Sequence, residues 1–221
     1  MNSLYINTNK LINKNNGIEW KVSKTLVAYS KAIKLMEKRV ENIHKNISPE
    51  MIWLLQHPPI YTCGTSAKNI EILDSGKIPV IETKRGGKVT FHGPGQRIAY
   101  IMLDLNIRRK DIKFYVSTLE EWCIATLKEF DIKSFTVKGR TGIWIKNSSG
   151  ESKIGAIGVR VSRWVTYHGI SINVNPDLKS YDGIIACGLE NYSITSLHQI
   201  GIKIEMKDFD QKLIQTAKKF F

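Results

Sequence analysis

Apolar residues recur at intervals of three and four from Leu26 through Tyr29, Ile33, Met36 and Val40 to Ile43, with Lys24, Lys31, Lys34, Lys38 and Glu41 filling the other positions. That period predicts an amphipathic helix over residues 23–45. Tyr115, Leu119, Trp122 and Leu127 mark a second helix over 111–130, with Asp111 placed to cap its first turn. In both helices the apolar stripe reads as a core contact and not as a groove for a partner. Between and after them the pattern shortens to strand-like runs. Residues 51–56 form one, ended by His57-Pro58-Pro59, because proline cannot continue a hydrogen-bonded ladder. Residues 78–83, 88–92 and 98–103 are further strands, separated by glycine-rich turns. Residues 142–146 and 154–162 read as a hairpin around Asn147-Ser148-Ser149-Gly150, followed by a strand over 164–174. A short helix over 208–221 closes the chain. Strands in consecutive runs, with helices before, between and after them, indicate α+β with a largely antiparallel sheet. No repeat, linker or composition break divides the chain, so residues 1–221 are expected to form one catalytic domain.

A hydrophobic share of 42% and a charged share of 24% suit a soluble globular protein able to build its own core. Cys63, Cys123 and Cys187 are odd in number, far apart and without a C-x-x-C pair, which argues against a disulfide scaffold or a common zinc site. The polar first sixteen residues hold no signal-peptide core, and no run approaches the ~20 apolar residues that span a bilayer. The expected location is the cytoplasm, with no membrane partner. The net charge of +13 favours acidic partners, or else reflects a lysine-rich surface, since no basic block or nucleic-acid motif stands out. The five histidines show no metal-site spacing, so neither metal nor cofactor is expected.

Three stretches carry candidate chemistry. In the first, Arg85 to Gln96, glycines allow the backbone to approach a ligand and present N–H groups, or merely form two turns joining strands. It matches no nucleotide-binding motif. The second runs from Lys153 through Ala156, Ile157 and Gly158 to Arg160, leading into Tyr167-His168-Gly169-Ile170-Ser171, where small residues inside strands mark a close approach by something else. His168 shares parity with Ile170, Ile172 and Val174 and reads as a hydrogen-bonded core histidine. Lys153, at the start of its strand, reads as solvated. The third is Ile184-Ile185-Ala186-Cys187-Gly188, in which a packed, inert thiol competes with a nucleophile. The packed thiol is the default for a free cysteine, and the adjoining glycine and the polar Asn191 and Thr195 raise the nucleophilic reading somewhat without displacing it.

Together, in this order and spacing, these stretches resemble the octanoyltransferase family, also called lipoate–protein ligase B. The resemblance covers residues 37–197 and is carried by His57-Pro58-Pro59-Ile60-Tyr61-Thr62, Arg85 to Gln96, Lys153 to Arg160, Trp164 to Asn173, Cys187-Gly188 and Thr195-Ser196-Leu197. It implies the fold of biotin and lipoate ligases, a mixed, mostly antiparallel sheet flanked by helices. It implies transfer of an octanoyl group from octanoyl-acyl carrier protein to a lysine of lipoyl domains, those of 2-oxoacid dehydrogenase complexes and of the glycine cleavage H protein, by a monomer. On this resemblance Cys187 is the acyl-accepting nucleophile and Lys153 activates it. Arg85, Gly86, Gly87, Lys88, Val89, Thr90, Phe91 and His92, with Ala156, Ile157, Gly158, Gly169, Ile170 and Ser171, line the acyl site. Glycine-loop N–H groups are expected to hold the oxyanion. The chain departs from the family in carrying Ala186 where a proline commonly precedes the cysteine, and in carrying Cys63, expected to be packing, where a small or aliphatic residue is common.

The chemistry suits the residue types. A nearby ammonium stabilises a thiolate, and its neutral amine can later accept a proton. Exchange of one thioester for another is nearly isoenergetic, and amide formation then runs downhill without ATP. Each buried methylene of an acyl chain contributes about 0.8 kcal/mol. The competing readings are an ATP-dependent lipoate–protein ligase, which needs no cysteine nucleophile, a cysteine thioesterase that releases the acyl group to water, and, by charge alone, a nucleic-acid-binding module with steep salt dependence.

Overall fold

The computed structural model describes residues 11–12, 17–147, 150–188 and 192–221. Among these, eight strands form one sheet in the order β1 (Leu11–Ile12), β2 (Glu19–Val22), β3 (Met51–Leu55), β7 (Gln96–Met102), β11 (Val165–Asn173), β10 (Gly150–Ser162), β9 (Arg140–Asn147) and β8 (Ser134–Val137), while β12 (Ser193–Ile194) pairs with β10. A second sheet joins β5 (Val80–Glu82), β4 (Ile60–Cys63) and β6 (Val89–His92). Only β2–β3, β10–β12 and β4–β5 are parallel, so the described sheets are mixed and mostly antiparallel.

Alternation along β3 and β7 explains how the helices flank the large sheet. Ile52, Leu54, Ala99 and Ile101 face a core that includes Leu119, Trp122 and Leu127 of helix α2 (Ile112–Lys128) and Phe209 and Leu213 of helix α3 (Met206–Ala217). Met51, Trp53, Leu55, Ile98, Tyr100 and Met102 face the other way, onto Ala32, Met36, Val40 and Ile43 of helix α1 (Tyr29–His44). Because side chains alternate with period two, a strand with helices on both faces is apolar throughout. A third cluster joins Tyr61, Val89 and Phe91 of the small sheet to Ile184 and Ala186, which precede Cys187.

Helix α2 begins after Asp111, whose side chain accepts the Phe114 N–H at 3.0 Å, as its pattern predicts. Helix α1 starts six residues later than the periodicity suggests. The Ser23 and Val27 N–H groups donate to Leu54 and Gln56 carbonyls at 2.9 Å, so the chain here follows the sheet, and Leu26 is left exposed. Strands β1, β2, β4, β8 and β12 are short, and no pattern of theirs was long enough to read. The tip of the β9–β10 hairpin, Ser148-Ser149, and Asn191 lie outside the described residues. Among the described residues no helix is long and apolar enough to cross a membrane.

A buried ion pair ties α3 to the start of β7: Arg97 Nε and Nη2 meet Asp210 Oδ1 and Oδ2 at 2.7 and 2.9 Å, with both residues under 5% exposed. Asp210→Ala leaves a buried guanidinium without its carboxylate and is expected to cost about 3–5 kcal/mol. The double replacement Arg97→Met, Asp210→Leu should regain most of that loss. Urea unfolding midpoints of the two variants check both expectations.

Candidate functional site

The β10–β11 pairing forms the floor of the site. Ala156 lies opposite Ser171, Ile157 opposite Ile170, Gly158 opposite Gly169 and Val159 opposite His168. Lys153 lies six residues before Val159, so about 20 Å of strand separates the lysine from the histidine end. Above this floor is a cavity of about 220 Å³. Its lining includes Lys153, Cys187, Arg85, Gly87, Lys88, Thr90, His92, Ala156, Ile157, Gly158, Gly169, Ile170 and Ser171, together with Tyr29, Ile98, Tyr100, Arg140, Thr141 and His168. Of the sequence-predicted site residues, Gly86, Val89 and Phe91 are not among this lining. Strand alternation turns Val89 and Phe91 away, into the cluster beneath Ala186. The Gly86 N–H donates to Val159 O at 2.9 Å, so this member of the glycine loop already has a partner and is not free for an oxyanion.

Lys153 is buried, at 4% exposure, and does not sit solvated at a strand start: β10 begins three residues earlier. The lysine lies at a break in register between residues 153 and 155, a bulge that redirects side chains. Its Nζ donates to Thr141 O at 2.9 Å and sits 5.6 Å from the Trp144 ring centroid. Gly142, at φ +126°, makes the room, because a Cβ there would meet Lys153 Cε at 2.5 Å. Lys153 and Cys187 thus share one cavity, with the resting amine held by a carbonyl.

Cys187 occupies a short turn with φ 57°, the left-handed region that a non-glycine residue enters only when its surroundings impose it. Those surroundings are visible. Ile185 N donates to Glu71 O, Leu73 N and Asp74 N reach Gly183 O, and Tyr61 Oη donates to Ser180 O at 2.7 Å. Gly188, at φ +65°, lies against Lys88, so that a Cβ would meet its Nζ at 2.2 Å, while Lys88 pairs with the buried Glu71 at 2.9 Å. Ala186 is buried and packs on the small sheet despite lacking a proline ring.

Arg85 is buried, and oxygens of the protein solvate it. Its Nη2 donates to Thr62 O at 2.6 Å, Thr62 Oγ1 at 2.8 Å and Lys88 O at 2.9 Å, and its Nη1 to Gly86 O at 2.9 Å. Burial pulls its pKa below the usual value, and the Cys187 thiol is among the groups that act on its charge in the opposite sense. A cation is therefore fixed within electrostatic reach of the cysteine. Cys63 is partly buried and packs with the small-sheet cluster, and burial pushes its thiol pKa up, which disfavours a second thiolate.

Tyr29, His92, Tyr100 and His168 form the inner wall and His57, outside the lining, packs against them; of these five the sequence points only to His92. Tyr29, His57, His92, Tyr100 and His168 follow one another at ring-centroid separations from 5.2 to 6.4 Å. Burial drives all three histidines down, His57 to about 4 and His92 and His168 to about 3, so all are neutral near pH 7. His57 Nδ1–H donates to Val27 O at 2.5 Å, which leaves Nε2 to accept from Tyr100 Oη at 2.7 Å. His168 is not the hydrogen-bonded core residue that parity predicts. Its φ of 58° breaks the strand's alternation, it lines the cavity, and its buried Nδ1 has no partner. Nothing in the sequence pattern marks Tyr29 or Tyr100 as neighbours of these histidines, since only the α1–sheet packing brings them together. Among the described residues no group of three or more His, Cys, Asp or Glu side chains is placed to hold a metal ion.

Histidines held neutral below their ordinary pKa stabilise the fold fully above pH ~6.5, and that stability is lost as acid protonates the unfolded chain first. The unfolding free energy should therefore fall between about pH 6.5 and pH 4, with a slope of up to two protons net, because Asp210, pushed up to about 6 by burial, is protonated first in the folded state and offsets one of the three histidines. Urea titrations across this range check it, and a flat profile would contradict burial of the three rings.

Comparison with known proteins places the site in a family. The family model described as "Lipoyl protein ligase A/B catalytic domain" matches residues 28–218. An octanoyltransferase of Paramagnetospirillum magneticum is 48% identical over 92% of this chain and 97% of its own. Octanoyltransferases of Bartonella quintana and Ehrlichia chaffeensis are 47% and 45% identical, over 96% and 92% of this chain and 90% and 96% of theirs. Among solved structures, a bipartite lipoate protein ligase of Thermoplasma acidophilum superposes with a TM-score of 0.68 at 13% identity, covering 90% of this chain and 82% of that one. A lipoate-protein ligase A bound with ATP gives 0.69 at 12% identity, covering 90% and 84%. These structural likenesses establish the fold, a lipoate ligase-like mixed sheet flanked by helices, and the sequence relatives establish the rest: the chain belongs to the octanoyltransferase branch of the lipoyl protein ligase A/B catalytic family.

Proposed function

We propose that this protein transfers an octanoyl group from octanoyl-acyl carrier protein to a lysine of lipoyl domains through a thioester on Cys187. The observation that carries the reading is the shared cavity: among the described residues the only thiol lining it is Cys187, beside a buried lysine and a buried guanidinium. In the first step the Cys187 thiolate attacks the donor's thioester carbonyl, the carrier's sulfur leaves and takes a proton from the Lys153 ammonium to become a thiol, and the octanoyl group is now bonded to Cys187 beside a neutral Lys153 amine. In the second, the acceptor's neutral lysine amine attacks that carbonyl, the C–N bond forms, and the Cys187 sulfur departs as a thiolate. The proton shed by the attacking amine goes to the neutral amine of Lys153, which swings from Thr141 O, or to the departing sulfur. Arg85 supplies fixed positive charge that favours each thiolate state in a water-poor setting. Ile98, Tyr100, Ile157 and Ile170 line the cavity with apolar surface for the methylenes, each contributing about 0.8 kcal/mol when fully buried.

The donor and acceptors are inferred from the family and from charge. A protein with a net charge of +13 attracts acidic carriers and gains encounter rate from that attraction. A single domain acting as a monomer in the cytoplasm completes the reading.

The test mixes the protein with octanoyl-acyl carrier protein and apo lipoyl domain without nucleotide, and follows the acceptor by mass. The acceptor should gain one octanoyl group. Cys187→Ala should abolish the gain, and Lys153→Met should slow it by about 10²-fold or more, as expected for loss of a positioned acid–base group. Product that appears only with ATP, at wild-type rate in Cys187→Ala, would move the chain to the adenylating ligases.

A further inference from the structure

One buried amide joins strands β6, β7 and β11 to Tyr181, in the segment that leads to Cys187. Gln96, 1% exposed, opens β7 just after the Arg85 loop and lies outside the cavity wall. Its orientation follows from a chain of obligate partners. The Thr195 carbonyl can only accept, so Asn173 presents Nδ2 to it at 2.9 Å and turns Oδ1 the other way. Asn173 Oδ1 in turn accepts from Gln96 Nε2 at 3.0 Å, and Gln96 Nε2 also meets Phe91 O at 3.2 Å and Tyr181 Oη at 2.8 Å. Tyr181 Oη donates to Asn173 Oδ1 at 3.1 Å and so closes the ring. Gln96 Oε1 is left to face His92 Nδ1 at 2.6 Å. An amide oxygen only accepts, so His92 must carry its proton on Nδ1. Because burial keeps the ring neutral, its Nε2 is a bare acceptor.

The same network reaches the segments that carry Cys187 and Lys153. Tyr181 begins the segment that ends at Cys187 and packs on Phe91 at 5.4 Å. Thr195 N donates to Lys153 O at 2.9 Å, which fixes the strand position of the lysine. Each of these partners is buried or nearly so, and a buried amide network holds one arrangement because any alternative strands a polar group.

We infer that Gln96 is the positioning residue of the transfer site. Its amide fixes His92 as a hydrogen-bond acceptor on the cavity wall, and it locks the Cys187 segment and the Lys153 strand into one mutual placement. It touches neither acyl donor nor acceptor. The inference rests on the acyl-transfer reading above, and it adds a residue whose loss slows chemistry without weakening donor binding.

The test uses the full chain, octanoyl-acyl carrier protein as donor, and single-turnover loading followed by intact mass. Gln96→Leu removes every bond that the Gln96 side chain makes and leaves the Tyr181–Asn173 and Asn173–Thr195 bonds in place. Loading should slow by about tenfold or more, with the donor concentration for half-maximal rate changed by less than about threefold. Imidazole ¹⁵N spectra should show the His92 Nδ1–H tautomer giving way to a mixture. Gln96→Glu keeps the acceptor for His92 but loses the donor to Asn173 and Tyr181. It should keep the tautomer and still load slowly, and it carries the test if Gln96→Leu does not fold. Tyr181→Phe, which keeps the ring against Phe91, should slow loading by about threefold. Wild-type loading rates in Gln96→Leu or Gln96→Glu would overturn the inference. So would a loss confined to donor affinity. If the wild type itself acquires no acyl group, the transfer reading has failed instead, and the two failures are distinguishable.

Discussion

A guanidinium buried among carbonyl oxygens organises this site. Arg85 grips Thr62 on the small sheet, Lys88 in the following turn and Gly86 beside it, while the Gly86 amide bonds Val159 on the large sheet. A buried charge is costly unless its donors are satisfied, so the loop has little freedom to rearrange while Arg85 remains inside. The small sheet, the Arg85 loop and strand β10 are thereby joined, and the turn bearing Cys187 rests on the surface they make. One interaction closes the cavity and keeps a cation near the thiol.

The inner wall of the cavity is neutral by construction. His92 and His168, pushed down to about 3 by burial, present polar atoms to it without added charge, as do Tyr29 and Tyr100, and His57, held at about 4, packs against them from outside the lining. An apolar chain can lie against such rings without meeting an ionised group, whereas a protonated wall would hold water. The cations of the lining, Arg85, Lys88, Arg140 and Lys153, belong instead to the end that holds Cys187. Separation of a charged reacting end from a neutral inner wall matches the two tasks of an acyl transferase, handling a thioester and holding a hydrocarbon.

Much of this was legible beforehand, and the gaps have physical causes. The two long helices and the central strands follow from period, because each buries a regular face against the sheet. The Arg85, Lys153 and Cys187 stretches stood out through glycine placement and a matching family pattern. Burial of Lys153 did not, since the bulge at residue 153 and the space left by Gly142 are properties of paired strands. His168 was misjudged because strand parity holds only while φ stays negative. Tyr29, Tyr100 and Gln96 join the site through contacts between residues as many as 85 positions apart, which no local pattern records. Val89 and Phe91 were assigned to the acyl site by motif membership, and alternation alone turns them away from it.

The central claim is that the acyl group rests on one particular thiol. Enzyme quenched in acid after reaction with octanoyl-acyl carrier protein, then digested and mapped by mass, decides it. The account predicts a hydroxylamine-labile octanoyl group on the peptide containing Cys187, with Cys63 and Cys123 unmodified. An octanoyl group on Cys63, or no labile adduct while acceptor product still accumulates, would contradict it.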